Sequence, residues 1–148
     1  MAQNLRQQTS ENIIQVLKTL SDPRPVLVTS EPFNVLEIAI TQFPAILITP
    51  QLEERSTITM GTLGAGRRMG TLDYQIRAYV RGNELDRKRN DLLEAIEEAL
   101  DSDRYRGLSQ EGVLDSQIIS IEINDRLPPL AEFTITFRVR YNYLRGAV

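Results

Sequence analysis

From Ala131 to Tyr143 the sequence AEFTITFRVRYNY alternates apolar and polar residues without a break. Thirteen residues of period-two alternation fit only a long β-strand with one buried and one wet face. A strand of that length needs partners on at least one side, so it commits the chain to a sheet. Two further runs alternate in the same way. TLDYQIRAYV places Leu72, Tyr74, Ile76, Ala78 and Val80 on one face, and SQIISIEIN places Ile119, Ile121 and Ile123 on one face. Setting Ile123 opposite Phe133 and Ile121 opposite Ile135 keeps both apolar sets together, as a correct register requires.

Before TLDYQIRAYV stands STITMGTL, also alternating, with a glycine-rich segment between them. This reads as a hairpin. Pairing Ile58 with Ile76, Met60 with Tyr74 and Thr62 with Leu72 centres its turn on Arg67. FPAILITP, an apolar run between two prolines, reads as a separate buried strand. VLVTS and VLEIAI are apolar and β-branched, and the second fits a strand or a helical turn equally well.

Two segments carry helical rather than strand periodicity. Leu5, Ile13, Ile14, Leu17 and Leu20 share a face over Asn4 to Leu20, and SDPRP ends that helix because proline cannot continue it. Leu85, Leu92, Leu93, Ile96, Ala99 and Leu100 form the stripe of a second helix from Glu84 to Asp101, with Asn83 as its N-cap. DSDRYRGLSQEG reads as a polar connector. The expected fold is therefore α+β: one domain over residues 1–148, a mostly antiparallel sheet, and two helices packed on its apolar face.

The chain has 148 residues, no cysteine and no histidine. Disulfides, thiolate zinc sites and every mechanism that needs an imidazole are thereby excluded. No apolar run approaches the roughly 20 residues of a membrane helix. The N-terminal residues lack the basic-then-apolar order of a signal peptide, which reads as an intracellular product with no membrane partner. A net charge of −3 makes the whole chain no obvious ligand for a polyanion, so any such contact must come from a local patch.

GTLGAGRRMGT, residues 61–71, looks like a phosphate cradle. Gly61 and Gly66 have P-loop separation, but Arg67 and Arg68 stand where Lys and Ser/Thr should be, and a strand follows instead of a helix. The dinucleotide fingerprint fails as well, because GAGRRMG is one residue too long. Glycine then serves a wide hairpin tip, on which Arg67 and Arg68 are placed to meet phosphate or a carboxylate-rich surface. The wet strand faces carry more arginine: Arg77 and Arg81 beside Tyr79, and Arg138 and Arg140 beside Thr134, Thr136 and Asn142. Arg67, Arg68, Arg77, Arg81, Arg138 and Arg140 are the candidate interaction residues. Glu53–Glu54, Glu97–Glu98 and Asp101–Asp103 sit in polar stretches and read as solvated carboxylates, not catalytic pairs. DSDRYRG lacks the ligand series of a calcium loop. No catalytic, metal or cofactor site is expected.

The order of these elements carries a resemblance. An amphipathic helix is followed by FPAILITP, a glycine-tipped hairpin ending LDYQIRAYVRG, a charged helix NELDRKRNDLLEAIEEAL, and a closing PLAEFTITFRVRYNYLRG. This resembles the tail terminator (tail completion, or neck) proteins of tailed bacteriophages, over Asn4 to Gly146 and by texture, since that family has no short motif. The resemblance implies a structural virion protein, not an enzyme. It implies a homohexameric ring at the head-proximal end of the tail, made in the host bacterial cytoplasm. Its partners would be the tail tube protein, the head-tail connector or neck proteins and, transiently, DNA in the lumen. Other readings are a head-completion or tube protein, or a small nucleic-acid-binding module. The acidic balance and the lack of an aromatic-basic stacking platform weigh against the last.

Overall fold

The computed structural model describes residues 4–21, 23–57, 67–108, 112–124 and 126–144. The elements run α1 (Leu5–Lys18), β1 (Leu27–Thr29), a 3₁₀ turn (Ile40–Gln42), β2 (Ala45–Thr57), β3 (Arg67–Arg81), α2 (Leu85–Asp101), β4 (Val113–Asn124) and β5 (Leu130–Leu144). One five-stranded sheet has the order β1-β2-β3-β5-β4. Short β1 pairs parallel with β2, and the other neighbours are antiparallel. The fold is α+β, with both helices on one face.

That face is the core. Alternate residues of β3 (Leu72 to Val80) and β5 (Ala131 to Tyr141) join Ile46 and Ile48 of β2. Ile13 and Leu17 of α1 and Leu92, Ile96 and Leu100 of α2 close over them. The two periodicities meet as they must, strands burying every second residue and helices every third or fourth. Asn4 starts α1 by accepting the Gln7 N–H at 2.9 Å, the N-cap geometry. In α2 the cap differs from expectation. The capping position is Glu84, not Asn83; it holds the left-handed conformation (φ 52°), and its side chain makes no capping bond. The bend that begins at Gly82, itself at φ 122°, uses up the residues that would set Asn83 in place.

The first hairpin has a different register. Ile48 is opposite Ile76, Pro50 opposite Tyr74 and Glu53 opposite Leu72, the places expected for Ile58, Met60 and Thr62, which lie outside the described residues. FPAILITP and STIT do not form two strands: β2 runs from Ala45 through Thr57. Pro50 looked like a terminator, but it stands at a bulge between Pro50 and Leu52, where the ladder is already interrupted and a missing N–H costs least. The observed register buries Ile46 and Ile48 completely, which the expected one would have left without β3 as a partner. Arg67 is consequently not the turn centre. It opens β3, opposite Leu144 of β5. The glycine tip, residues 58–66, lies outside the described residues.

VLEIAI becomes a turn that leads into the 3₁₀ helix and lies on the other face of the sheet. There Val35, Ala45 and Tyr79 form a second small core, with Phe33, Ile38, Phe43 and Leu27 packed against it. The Phe33 ring meets Tyr79 edge-on at 5.8 Å. Tyr79, expected on a wet face, is therefore buried. The β4–β5 register is as expected, with Ile123 opposite Phe133 and Ile121 opposite Ile135. Its burial is not: Phe133 and Ile135 are fully buried, whereas Ile119, Ile121 and Ile123 are 39%, 40% and 48% exposed. Two helices do not span five strands, and the second half of β4 lies beyond their cover.

Candidate interaction site

The six arginines do not converge. Arg67 and Arg68 hold the first two positions of β3, opposite Leu144 and Tyr143. Arg138 lies directly across from Asp73 in the β3–β5 ladder and grips it with two bonds, Nε to Oδ1 at 2.8 Å and Nη2 to Oδ2 at 3.0 Å. This bidentate fork holds the guanidinium above its ordinary pKa through the Asp73 bond. Arg77 donates from Nη2 to Gln75 Oε1 at 2.9 Å. Arg140 is exposed, opposite Thr71 and Asp115. Arg81 sits at the other end of β3, over the Phe43 ring at 6.0 Å, and lines a cleft of about 290 Å³ with Lys88, Pro44 and Val80. Arg140 is opposite Thr71, so at about 3.4 Å per residue Arg140 and Arg81 stand roughly 34 Å apart along the strands.

Nor is the open sheet face purely basic. Asp73, Glu54, Asp115, Glu122 and Glu132 share it by register. Glu132 is held by Arg126 at 2.9 Å, and Asp115 by Arg104 at 3.1 Å. Arg126 also lies 5.8 Å above the Tyr79 ring, tying the β4–β5 connection to the second core. The face is a mixed-charge lattice of cross-strand pairs, suited to a polar protein surface as much as to phosphate.

Sequence patterning did not reveal two clusters. At the N-terminus of α1, Arg6 forks onto Glu53, Nε to Oε1 at 2.6 Å and Nη2 to Oε2 at 2.8 Å, and Arg55 reaches the same carboxylate at 3.1 Å. The Arg6 bond holds the Glu53 carboxyl below the usual carboxylate range. Tyr74, whose hydroxyl donates to the Arg6 carbonyl at 3.3 Å, is pushed up by burial. Arg6, Glu53 and Tyr74 help wall a cleft of about 660 Å³ between α1 and β2. The second cluster surrounds Arg106, only 1% exposed inside the supposed polar connector. Its Nη2 donates to the carbonyls of Leu100 and Asp103, at the end of α2, and its guanidinium lies 5.6 Å over Phe137. Asp103 in turn accepts the N–H groups of Tyr105 and Gly107 at 2.9 and 2.7 Å, so this carboxylate shapes a turn. The spacing of an acidic loop with two arginines gives no signal for either role.

Among the described residues no group of three or more carboxylates is placed to hold a metal ion, and no helix is long and apolar enough to cross a membrane. No family model matches this sequence, and no curated protein does. What the geometry offers is surface. A three-stranded arm runs past the core: Leu72 and Tyr141 are the last core residues, yet the ladders continue to Thr57 opposite Arg68 and Arg67 opposite Leu144.

Proposed function

We propose that this chain is a structural component of a tailed-phage virion. It forms a six-subunit ring that caps the head-proximal end of the tail tube, ends tube polymerisation and joins the tail to the head connector. The observation that carries this reading is the arm. Three strands of 13, 15 and 15 residues lie side by side and extend beyond the residues that the helices cover. A projecting β-arm is a rigid means of reaching a neighbouring subunit or the next component of a stack, and its first β3 residues, Arg67 and Arg68, supply charge there. Repeated around a ring, two arginines per subunit make a basic collar on an acidic protein. Contacts of that collar with DNA in the lumen would be sequence-independent and salt-sensitive.

Native mass spectrometry over a concentration series, with negative-stain images of the protein alone and mixed with tail-tube protein, tests the reading. Closed six-subunit rings, alone or on tube ends, are expected. Tubes that keep growing in the presence of the protein would sink it. Replacing Arg67 and Arg68 by Ala is expected to leave the fold intact and to impair tail joining or DNA passage; full infectivity would remove the arm's charge from the argument.

A further inference from the structure

β4 is an edge strand, and on its outer side it pairs with nothing among the described residues. Its first half is anchored by buried Val113 and Ser116. From Ile119 to Ile123 every residue is exposed, three of the five being isoleucine. Edge strands are ordinarily blunted by lysine, proline or bulges. β4 contains neither lysine nor proline. Its bulges lie at Val113/Asp115 and Ile118/Ser120, which leaves Ser120–Asn124 regular and open. A segment this rich in exposed β-branched residues, with Glu122 its one charge, is a template for another strand.

The spacing says which strand fits. About Ile121 the sequence is symmetric in character: Ser120 and Glu122 flank it, then Ile119 and Ile123. We propose that β4 pairs antiparallel with β4 of a second copy, on a two-fold axis at Ile121, so that the sheet continues across the contact. Ile121 then faces its own counterpart. Ile119, which stands in the bulge at the start of the regular stretch, comes against Ile123 of the partner subunit, twice over, and Glu122 faces Ser120 of the partner subunit. Six isoleucines meet across the contact with no like charges opposed. An axis at Glu122 would set two carboxylates opposite each other, and one at Ser120 would set Ile123 against Gln117. The sheet's other open edge is a poorer partner. β2 beyond β1 carries Pro50, a bulge, Glu53 and Glu54, which would confront Glu122. A two-fold contact closes on itself. It joins subunits in pairs, leaves the arm free, and stands independently of the ring reading.

The chain has no cysteine, so single cysteines report the register cleanly. Directly opposed antiparallel residues have Cα atoms about 4.5–5.5 Å apart, within disulfide reach. Under mild oxidation of the isolated full chain, I121C is expected to cross-link to itself. I119C and I123C are expected to cross-link when mixed and poorly when alone. The control is Glu98→Cys, on the exposed face of α2. In parallel, Ile121→Glu, at a site exposed in the single chain, is expected to keep the wild-type circular dichroism. It should raise the dissociation constant seen by sedimentation about tenfold or more. Cross-linking of I121C no faster than the Glu98→Cys control overturns the proposal, as does I119C pairing with itself as readily as with I123C. A wild-type protein that stays monomeric at every concentration also overturns it. All readouts use the free protein, so failure here is distinct from failure of tube capping.

Discussion

Removing the buried guanidinium of Arg106 is the sharpest test of how this fold is held together. The side chain lies between the end of α2 and β5, donates to the carbonyls of Leu100 and Asp103, and approaches Asn12 Oδ1 at 3.5 Å. A helix C-terminus leaves its last carbonyls without partners, and here a charged donor takes that place. Hydrogen bonds from charged groups contribute about 1.5–3 kcal/mol each, and an abandoned buried carbonyl costs about 1–3 kcal/mol. Against this stands the desolvation of the guanidinium itself, which burial shows by lowering its pKa. Arg106→Met keeps most of the packing against Phe137 and loses both donors, so a net loss of about 2–4 kcal/mol is expected. Arg106→Ala adds a cavity and should cost about 1–2 kcal/mol more. In a chain of this length each kcal/mol lowers Tm by about 2–4 °C. Urea unfolding should show a lower midpoint with an unchanged slope for Arg106→Met, and amide exchange should accelerate first at the C-terminal turn of α2. If Arg106→Met unfolds within about 0.5 kcal/mol of wild type, the two carbonyl bonds contribute nothing net and the reasoning is wrong.

Other expectations follow from single contacts. A Cβ on Gly70 would lie 2.3 Å from Cζ of the Tyr141 ring, so Gly70→Ala should cost about 1–3 kcal/mol in thermal unfolding, and less in a Tyr141→Leu background. An equal cost in both backgrounds would refute the clash. Thr9 is fully buried and its hydroxyl has no partner; Thr9→Val should raise Tm by a few degrees, on the order of 1 kcal/mol. Glu53 is held below the usual carboxylate range by Arg6. Its stabilisation is therefore complete above the unfolded pKa, about 4.3, and is lost as pH falls through the folded value. Glu53→Gln should be less stable than wild type at pH 7, with the gap closing in acid; a gap constant down to pH 2 would contradict the assignment of the Arg6 bond. Disrupting the fork with Asp73→Asn should loosen the open sheet face without unfolding the core, seen as faster amide exchange in β3 and β5 near Arg138.

Periodicity alone determined the two helices and their buried faces, the alternating faces of β3, β4 and β5, and the antiparallel β4–β5 register. These properties are local: a side chain's face depends only on its position in a strand or helix, so thirteen alternating residues in β5 say which side is buried. The exclusions were equally local, because a chain without histidine or cysteine cannot perform chemistry that needs them. Tertiary structure decided what depends on competition for cover. Whether β2 stops at Pro50 or passes it depends on a bulge and on which register buries Ile46 and Ile48. Ile123 and Phe133 stand opposite each other on one face, yet one is half exposed and the other buried, because the reach of α2 is a property of the whole packing. The same holds for arginine. Arg138 and Arg140 read alike in the sequence and Arg106 read as part of a polar connector, and only the arrangement of carbonyls, Asp73 and open solvent around them makes Arg106 a helix cap, Arg138 a cross-strand pair and Arg140 an exposed surface charge.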